Sequence, residues 1–81
     1  MLKNLFRKKQ LGDKVDVLVK HSGRHKVMVI DVVRNITGMG IDDATRFVAK
    51  TPNVIKSGVP IAEAESIKSK LEAVGATVVF K

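Results

Sequence analysis

Glycine and proline cut this chain into short pieces. Six glycines and two prolines stand at positions 12, 23, 38, 40, 52, 58, 60 and 75 of the 81 residues, and no stretch between them exceeds fourteen residues. A helix filling the longest stretch is roughly 21 Å long. That is too short for a membrane span, which needs ~20 apolar residues. The chain must therefore fold as several short elements that share one core, and its length allows one domain.

The pieces differ in period. Lys14–Lys20 alternates, with Val15, Val17 and Val19 on one side, and predicts a strand. Ser22-Gly23 turns the chain out of it. Lys26–Ile36 supports two readings. Val27, Val29, Ile30, Val32, Val33 and Ile36 are β-branched, which favours a strand. Yet Val29, Ile30, Val33 and Ile36 also fit helical spacing, and the segment is long for a strand in so small a domain; helix is the better fit. Thr37-Gly38-Met39-Gly40 is a turn whose glycines permit a positive φ or a close backbone approach. Asp42 and Asp43 then open a short helix through Ala49, where carboxylates favour the positive dipole end. Phe47 and Val48 face inward, and Thr51-Pro52 stops the run. Asn53–Gly58 is a short strand or extended loop. Val59-Pro60 opens the clearest helix, with Pro60 at or near its first position. Ala64, Ile67, Leu71 and Val74 form its buried stripe and Gly75 its left-handed stop. Thr77–Phe80 is the last strand. The order is β-α-α-β-α-β, an α+β fold with helices on one face of the sheet.

Charge separates the two ends. Fifteen Lys and Arg against eight Asp and Glu give a net charge of +7. Residues 1–26 hold eight of the basic residues and two of the acidic ones. Within residues 1–12, Lys3, Arg7, Lys8 and Lys9 meet no acid, and Leu2, Leu5 and Phe6 fall at i, i+3 and i+4. We expect a basic, amphipathic or disordered arm over 1–12, ahead of a domain over 13–81. Such an arm suits a phosphate backbone such as RNA, an anionic membrane or an acidic protein surface; the competing reading is a solubilising tail. With no cysteine, disulfides and thiolate zinc sites are excluded, and the cytoplasm is the expected compartment. Met1–Gln10 has no apolar core of a secretory signal. Trp and Tyr are absent and Phe occurs three times, too few for a base-stacking platform.

An enzyme is hard to build from these residues. His21 and His25 stand four apart in a turn rich in Lys and Arg, with no carboxylate close by to complete a metal site. Ser22, Ser57, Ser66 and Ser69 lack a Ser-His-acid context. Gly38-Met39-Gly40 is not followed by Gly-Lys-Ser/Thr. Adjacent Asp42 and Asp43 diverge by about 100° on a helix. We assign no catalytic residue, metal, cofactor or small-molecule substrate. What remains is a surface. Lys26, Val27, Ile30 and Arg34 form one ridge of the first helix, and aliphatics flanked by cations suit an acidic, apolar partner groove. The bland alternative makes Val27 and Ile30 core, with Lys26 and Arg34 merely solvated.

The run Lys26-Val27-Met28-Val29-Ile30-Asp31-Val32-Val33-Arg34-Asn35-Ile36-Thr37-Gly38-Met39-Gly40-Ile41 closely resembles the C-terminal domain of the bacterial ribosomal stalk protein. The similarity continues through Ala44, Val48, Pro52, Ile55–Val59, Ala64-Glu65, Leu71–Ala73 and Gly75-Ala76, and covers about residues 14–81. It implies a three-stranded sheet with three helices on one face, and it implies helix for Lys26–Ile36. It also implies a protein-binding domain that recruits translational GTPases, elongation factors Tu and G among them, through its first two helices. Lys26, Val27, Ile30 and Arg34 match positions of that contact surface, and Gly38 and Gly40 match the glycines of the interhelical turn. Two departures fall inside it. Asp31 stands where the family has lysine, and Thr45 stands where it has a second lysine, with Arg46 beside it as a substitute. The resemblance does not extend to the family's dimerisation domain or Ala/Gly-rich hinge. An alternative keeps the fold but leaves the stalk, as an adaptor or a module tethered to RNA or a membrane; adaptors of AAA+ proteases share the shape, but their acidic pocket is not assembled here.

Overall fold

The computed structural model describes residues 14–81. The arm expected at 1–12, with Lys3, Arg7, Lys8 and Lys9, lies outside the described residues. The chain folds as strand β1 (Lys14–His21), helix α1 (Lys26–Thr37), helix α2 (Ile41–Ala49), strand β2 (Asn53–Pro60), helix α3 (Ile61–Glu72) and strand β3 (Thr77–Phe80). The order β-α-α-β-α-β and the α+β class are as expected from the sequence. β1 is the central strand, antiparallel to β2 on one side and to β3 on the other.

Lys26–Thr37 is helix despite its β-branched residues. The deciding term is burial on one stripe: Val29 and Val33, one turn apart, are fully buried, while Met28 before them and Asp31 between them are exposed. Gly38 ends α1 at φ 79°, its N–H donating to the Arg34 carbonyl at 2.8 Å. This is the left-handed cap that a Cβ would penalise. Thr37 adds a second lock, since its hydroxyl donates to the Val33 carbonyl and accepts the Met39 N–H. Asp42 and Asp43 occupy the first turn of α2, whose buried residues are Ala44, Phe47 and Val48. Beyond α3, Ala76 N–H bonds the Leu71 carbonyl and Gly75 N–H that of Glu72, a Schellman ending.

β2 is longer than the 53–58 segment expected. Pro60 still pairs with Lys14 and serves as the residue before α3 rather than its first helical position. A proline is tolerated there because β2 is an edge strand. Between Val15↔Val59 and Leu18↔Val54, β2 uses two more residues than β1, so it bulges twice. Asp16 Oδ1 accepts the Gly58 N–H at 2.9 Å and fastens the bulged strand to β1.

Val17 and Val19 of β1 point into a core shared with Val29, Val33, Ala44, Phe47, Ile67, Leu71 and Val78. Residues of all three helices thus meet one face of the sheet. Val74, expected in the buried stripe of α3, packs on this core only half-buried. The β1–α1 turn closes the far end. Gly23 lies so near the Gly75 carbonyl that a Cβ would collide with it, and Gly23 also has φ 80°.

Candidate protein-binding site

The packing of α1 decides which of its residues reach the surface. With Val29 and Val33 turned inward, successive steps of 100° leave Val27, Asp31 and Arg34 outside. Val27 is 73% exposed, the most exposed large apolar residue among the described ones. Ile30 is half-buried and rests against the core. So the expected ridge is split: Val27 is exposed, whereas Ile30 shares its side chain between core and surface.

Lys26 behaves differently from the sequence expectation. Its ammonium donates to Ser22 Oγ at 2.9 Å and to the Gly23 carbonyl at 3.3 Å. The cation is thereby drawn onto the β1–α1 turn. Ser22, read from the sequence only as a turn marker, is the one buried polar residue among the described ones. Its hydroxyl receives the lysine, which satisfies a group whose burial would otherwise carry a cost. His21, Arg24 and His25 are exposed around the same turn. Among the described residues no three His, Cys, Asp or Glu side chains come together as a metal site.

Asp31 and Arg34 share a face, as their spacing requires, but they form no ion pair within 4 Å. With Asn35, Gly38 and Met39 they line a shallow hollow of about 430 Å³. On its other flank Asp31 lines a second hollow of about 450 Å³, with Val32, Asn35, Lys70 and Ala73. Asp31 therefore stands on the crest between two grooves, with no ion pair among the described residues. The ion pairs among the described residues lie elsewhere, at Asp43–Arg46 and Lys56–Glu63, both 3.7 Å.

At the α1–α2 turn the two glycines have separate reasons. Gly38 needs its positive φ. Gly40 has φ −71°, and a Cβ there would meet nothing within 4 Å. Nothing within the domain requires Gly40 to be glycine. Beside it Ile41 is 51% exposed at the first position of α2, and Met28 on α1 is 50% exposed. Sequence reasoning missed both as surface residues, although Ile41 directly following a helix-capping glycine was a usable signal. Arg46 is exposed on α2 and engaged with Asp43; Thr45 turns its hydroxyl back to the Ile41 carbonyl at 2.7 Å.

The fold and this surface define a small α+β domain of the ribosomal-stalk type: a packed core under three helices, with exposed aliphatics on α1 and at the start of α2. Residues 15–81 match the ribosomal protein L7/L12 C-terminal domain, and the chain belongs to that family. It is similar to the large ribosomal subunit protein bL12 of Aquifex aeolicus, 52% identical over 66 residues, which are 82% of this chain and 52% of that protein. The bL12 of Streptococcus sanguinis is 51% identical over 69 residues, 85% of this chain and 57% of the relative. That of Helicobacter pylori is 52% identical over 66 residues, 82% and 53%. The chain spans about half the length of the curated relatives it matches. The family is one of ribosomal proteins, and the chain is not an enzyme.

Proposed function

We propose that this chain is a ribosome-associated binding module that engages a translational GTPase, elongation factor Tu or G, through α1 and the start of α2. The observation that carries the reading is Val27, 73% exposed on a helix whose next turns hold the exposed Asp31 and Arg34. An aliphatic knob with fixed charges beside it gives a partner both a desolvated anchor and a register. Ile30 supports the knob from below. Gly38 and Gly40 let a partner approach the backbone at the interhelical turn, and Gly40 has no other employment in the domain. Lys26 extends the cationic end through Ser22, and Arg46 the far flank on α2. Asp31 selects the partner. A carboxylate on this crest repels an acidic groove and prefers one with a cation opposite.

The test is titration of the purified chain with each factor. Val27→Ser and Arg34→Ala each weaken binding about tenfold or more, as for truncated anchors elsewhere, while the melting temperature stays unchanged. If Asp31 opposes an acidic factor, Asp31→Lys tightens binding. Absence of binding by the unaltered chain to either factor overturns the reading.

A further inference from the structure

The helices cover one face of the sheet, and the open face has an apolar middle between two cationic ends. Leu18, at the middle of β1, has Val54 of β2 and Val79 of β3 as its cross-strand partners, so three aliphatic side chains cross the full width of the sheet. Val54 is 40% and Val79 36% exposed, and Leu18 is half-buried between them. Alternation from Leu18 puts Asp16 and Lys14 on the same face, and alternation from Val79 puts Lys81 there. Lys81 and Asp16 are direct neighbours, exchanging two backbone hydrogen bonds. Lys20 stands beyond the other side of the row. There β1 uses one extra residue between Val19↔Val78 and His21↔Thr77, which brings the exposed His21 beside Lys20 at that end.

Lys14, Lys20 and Lys81 are exposed, and none is in an ion pair among the described residues. The acidic side chain of this face, Asp16, is half-buried, and its Oδ1 accepts the Gly58 N–H at 2.9 Å. Three ammonium groups against one carboxylate already engaged with β2 leave the face cationic. Lys20 and Lys81 each lie about 7 Å from the row along their strands, and Lys14 about 13 Å.

This pattern selects among occupants. Sheet faces that read RNA stack its bases on aromatic rings, and this row is aliphatic. An anionic membrane is a plane of one sign, so it meets Asp16 together with the lysines. Membrane attachment also relies on bulky side chains that enter the interface, whereas the valines are short and Leu18 is half-sunk between them. A second copy brings like-charged ends together. One row of three aliphatic residues also falls well short of the roughly 800 Å² that a stable interface takes from each partner. An acidic peptide segment fits every part. Its aliphatic side chains seat on the row, and its carboxylates reach Lys20 at one end and Lys81 and Lys14 at the other. The lysine stems widen the apolar contact while their ammonium groups stay wet. Two cations at one end against one at the other set the direction in which the segment lies.

We propose that the open face of the sheet is a second protein-binding surface, which takes an acidic peptide segment of a partner: aliphatic side chains on the Val54–Leu18–Val79 row, carboxylates on Lys14, Lys20 and Lys81. The surface lies across the sheet from the helices, so the domain holds a partner there without displacing one from α1. It stands whether or not α1 engages a GTPase.

The test is methyl NMR of the full chain titrated with the blocked peptide Glu-Glu-Ile-Leu-Glu-Glu. Two counterparts are run beside it, Gln-Gln-Ile-Leu-Gln-Gln and Glu-Glu-Ser-Ser-Glu-Glu. The acidic aliphatic peptide shifts the Leu18, Val54 and Val79 methyls saturably and leaves those of Val27 and Ile41 in place. Each counterpart binds the row several-fold more weakly. Lys20→Glu combined with Lys81→Glu, both at exposed positions, abolishes the shifts while the melting temperature holds. Equal binding of the Gln peptide overturns the proposal, because charge then selects nothing. Shifts confined to α1, α2 or residues 1–12 overturn it as well. So does a row that ignores the peptide but is shielded by phosphatidylglycerol vesicles or by a uridine oligonucleotide, and so do methyl shifts that appear on concentrating the chain alone. Factor binding to α1 is read separately at Val27 and Ile41, so its failure is distinguishable from failure here.

Discussion

Two leucines sit on opposite sides of the same sheet and live in different worlds. Leu71 of α3 is fully buried against the helix-side face, among Val17, Val19 and Val78. Leu18 of β1 lies on the other face, half-buried, with its cross-strand partners Val54 and Val79 beside it. The helix side is where the domain gains its stability, and it also carries the bare ridge of α1. The open side contributes little to holding the fold together, yet its apolar row spans all three strands. A domain this small can leave surface free for binding only where packing is not needed, and the two leucines mark that boundary.

Leu71→Ala should have the largest effect. Removing a fully buried leucine costs about 2–5 kcal/mol, a large part of the roughly 4–12 kcal/mol expected for a chain of this length. Thermal or urea unfolding measures it. Leu18→Ala in a chain lacking residues 1–12 should cost about 1 kcal/mol or less, since its methyls leave an exposed face. If Leu18→Ala proves as costly as Leu71→Ala in that truncated chain, the two faces are equally buried and the contrast fails.

Glycines repeat the contrast on a smaller scale. Gly23→Ala drives a Cβ into the Gly75 carbonyl at positive φ, so either the β1–α1 turn or the α3–β3 turn must move. The expected loss is at least about 2 kcal/mol, the strain at φ plus the displaced packing. Gly40→Ala meets nothing and keeps an ordinary φ. Its stability change stays below about 1 kcal/mol, while affinity for the partner of α1 falls. A destabilising Gly40→Ala would assign this glycine to the fold instead of the surface.

How much of this was legible before the structure follows from what each residue's neighbours are. Val15, Val17 and Val19 announced β1 because alternation is a local property. The α3 stripe and its Gly75 stop were legible for the same reason. Lys26–Ile36 was ambiguous because propensity and period disagreed, and burial of Val29 and Val33 against distant residues decided it. The double bulge of β2 could not be read from Asn53–Pro60, since it depends on pairing with β1 across some forty residues and on Asp16 receiving Gly58. At the candidate site, spacing put Val27 and Arg34 on one ridge but left open whether Val27 was core or surface, and the fold leaves it exposed. The capture of Lys26 by Ser22 was not, because a serine in a turn carries no sign that it will be buried. The resemblance had already singled out Gly40, but that its backbone does not need glycine followed only from its φ and open surroundings.

Two further substitutions sharpen the boundary between the sides. Asp16→Ala removes the acceptor of the Gly58 N–H on the open side and should cost about 0.5–1.5 kcal/mol, seen as faster hydrogen exchange along β2. The smallest effect belongs to Arg46→Ala. Arg46 and Asp43 meet at 3.7 Å one turn apart, both well exposed, and such a pair contributes about 0.3–0.5 kcal/mol at low salt. That contribution should vanish as salt is raised, because exposed charges are screened within about 10 Å at 0.1 M. A partner that reads Arg46 would still lose affinity in the variant, so binding and stability separate at this residue. If stability falls by more than about 1 kcal/mol and the loss survives high salt, α2 is held by Arg46 rather than offered by it, and the binding face ends at Ile41.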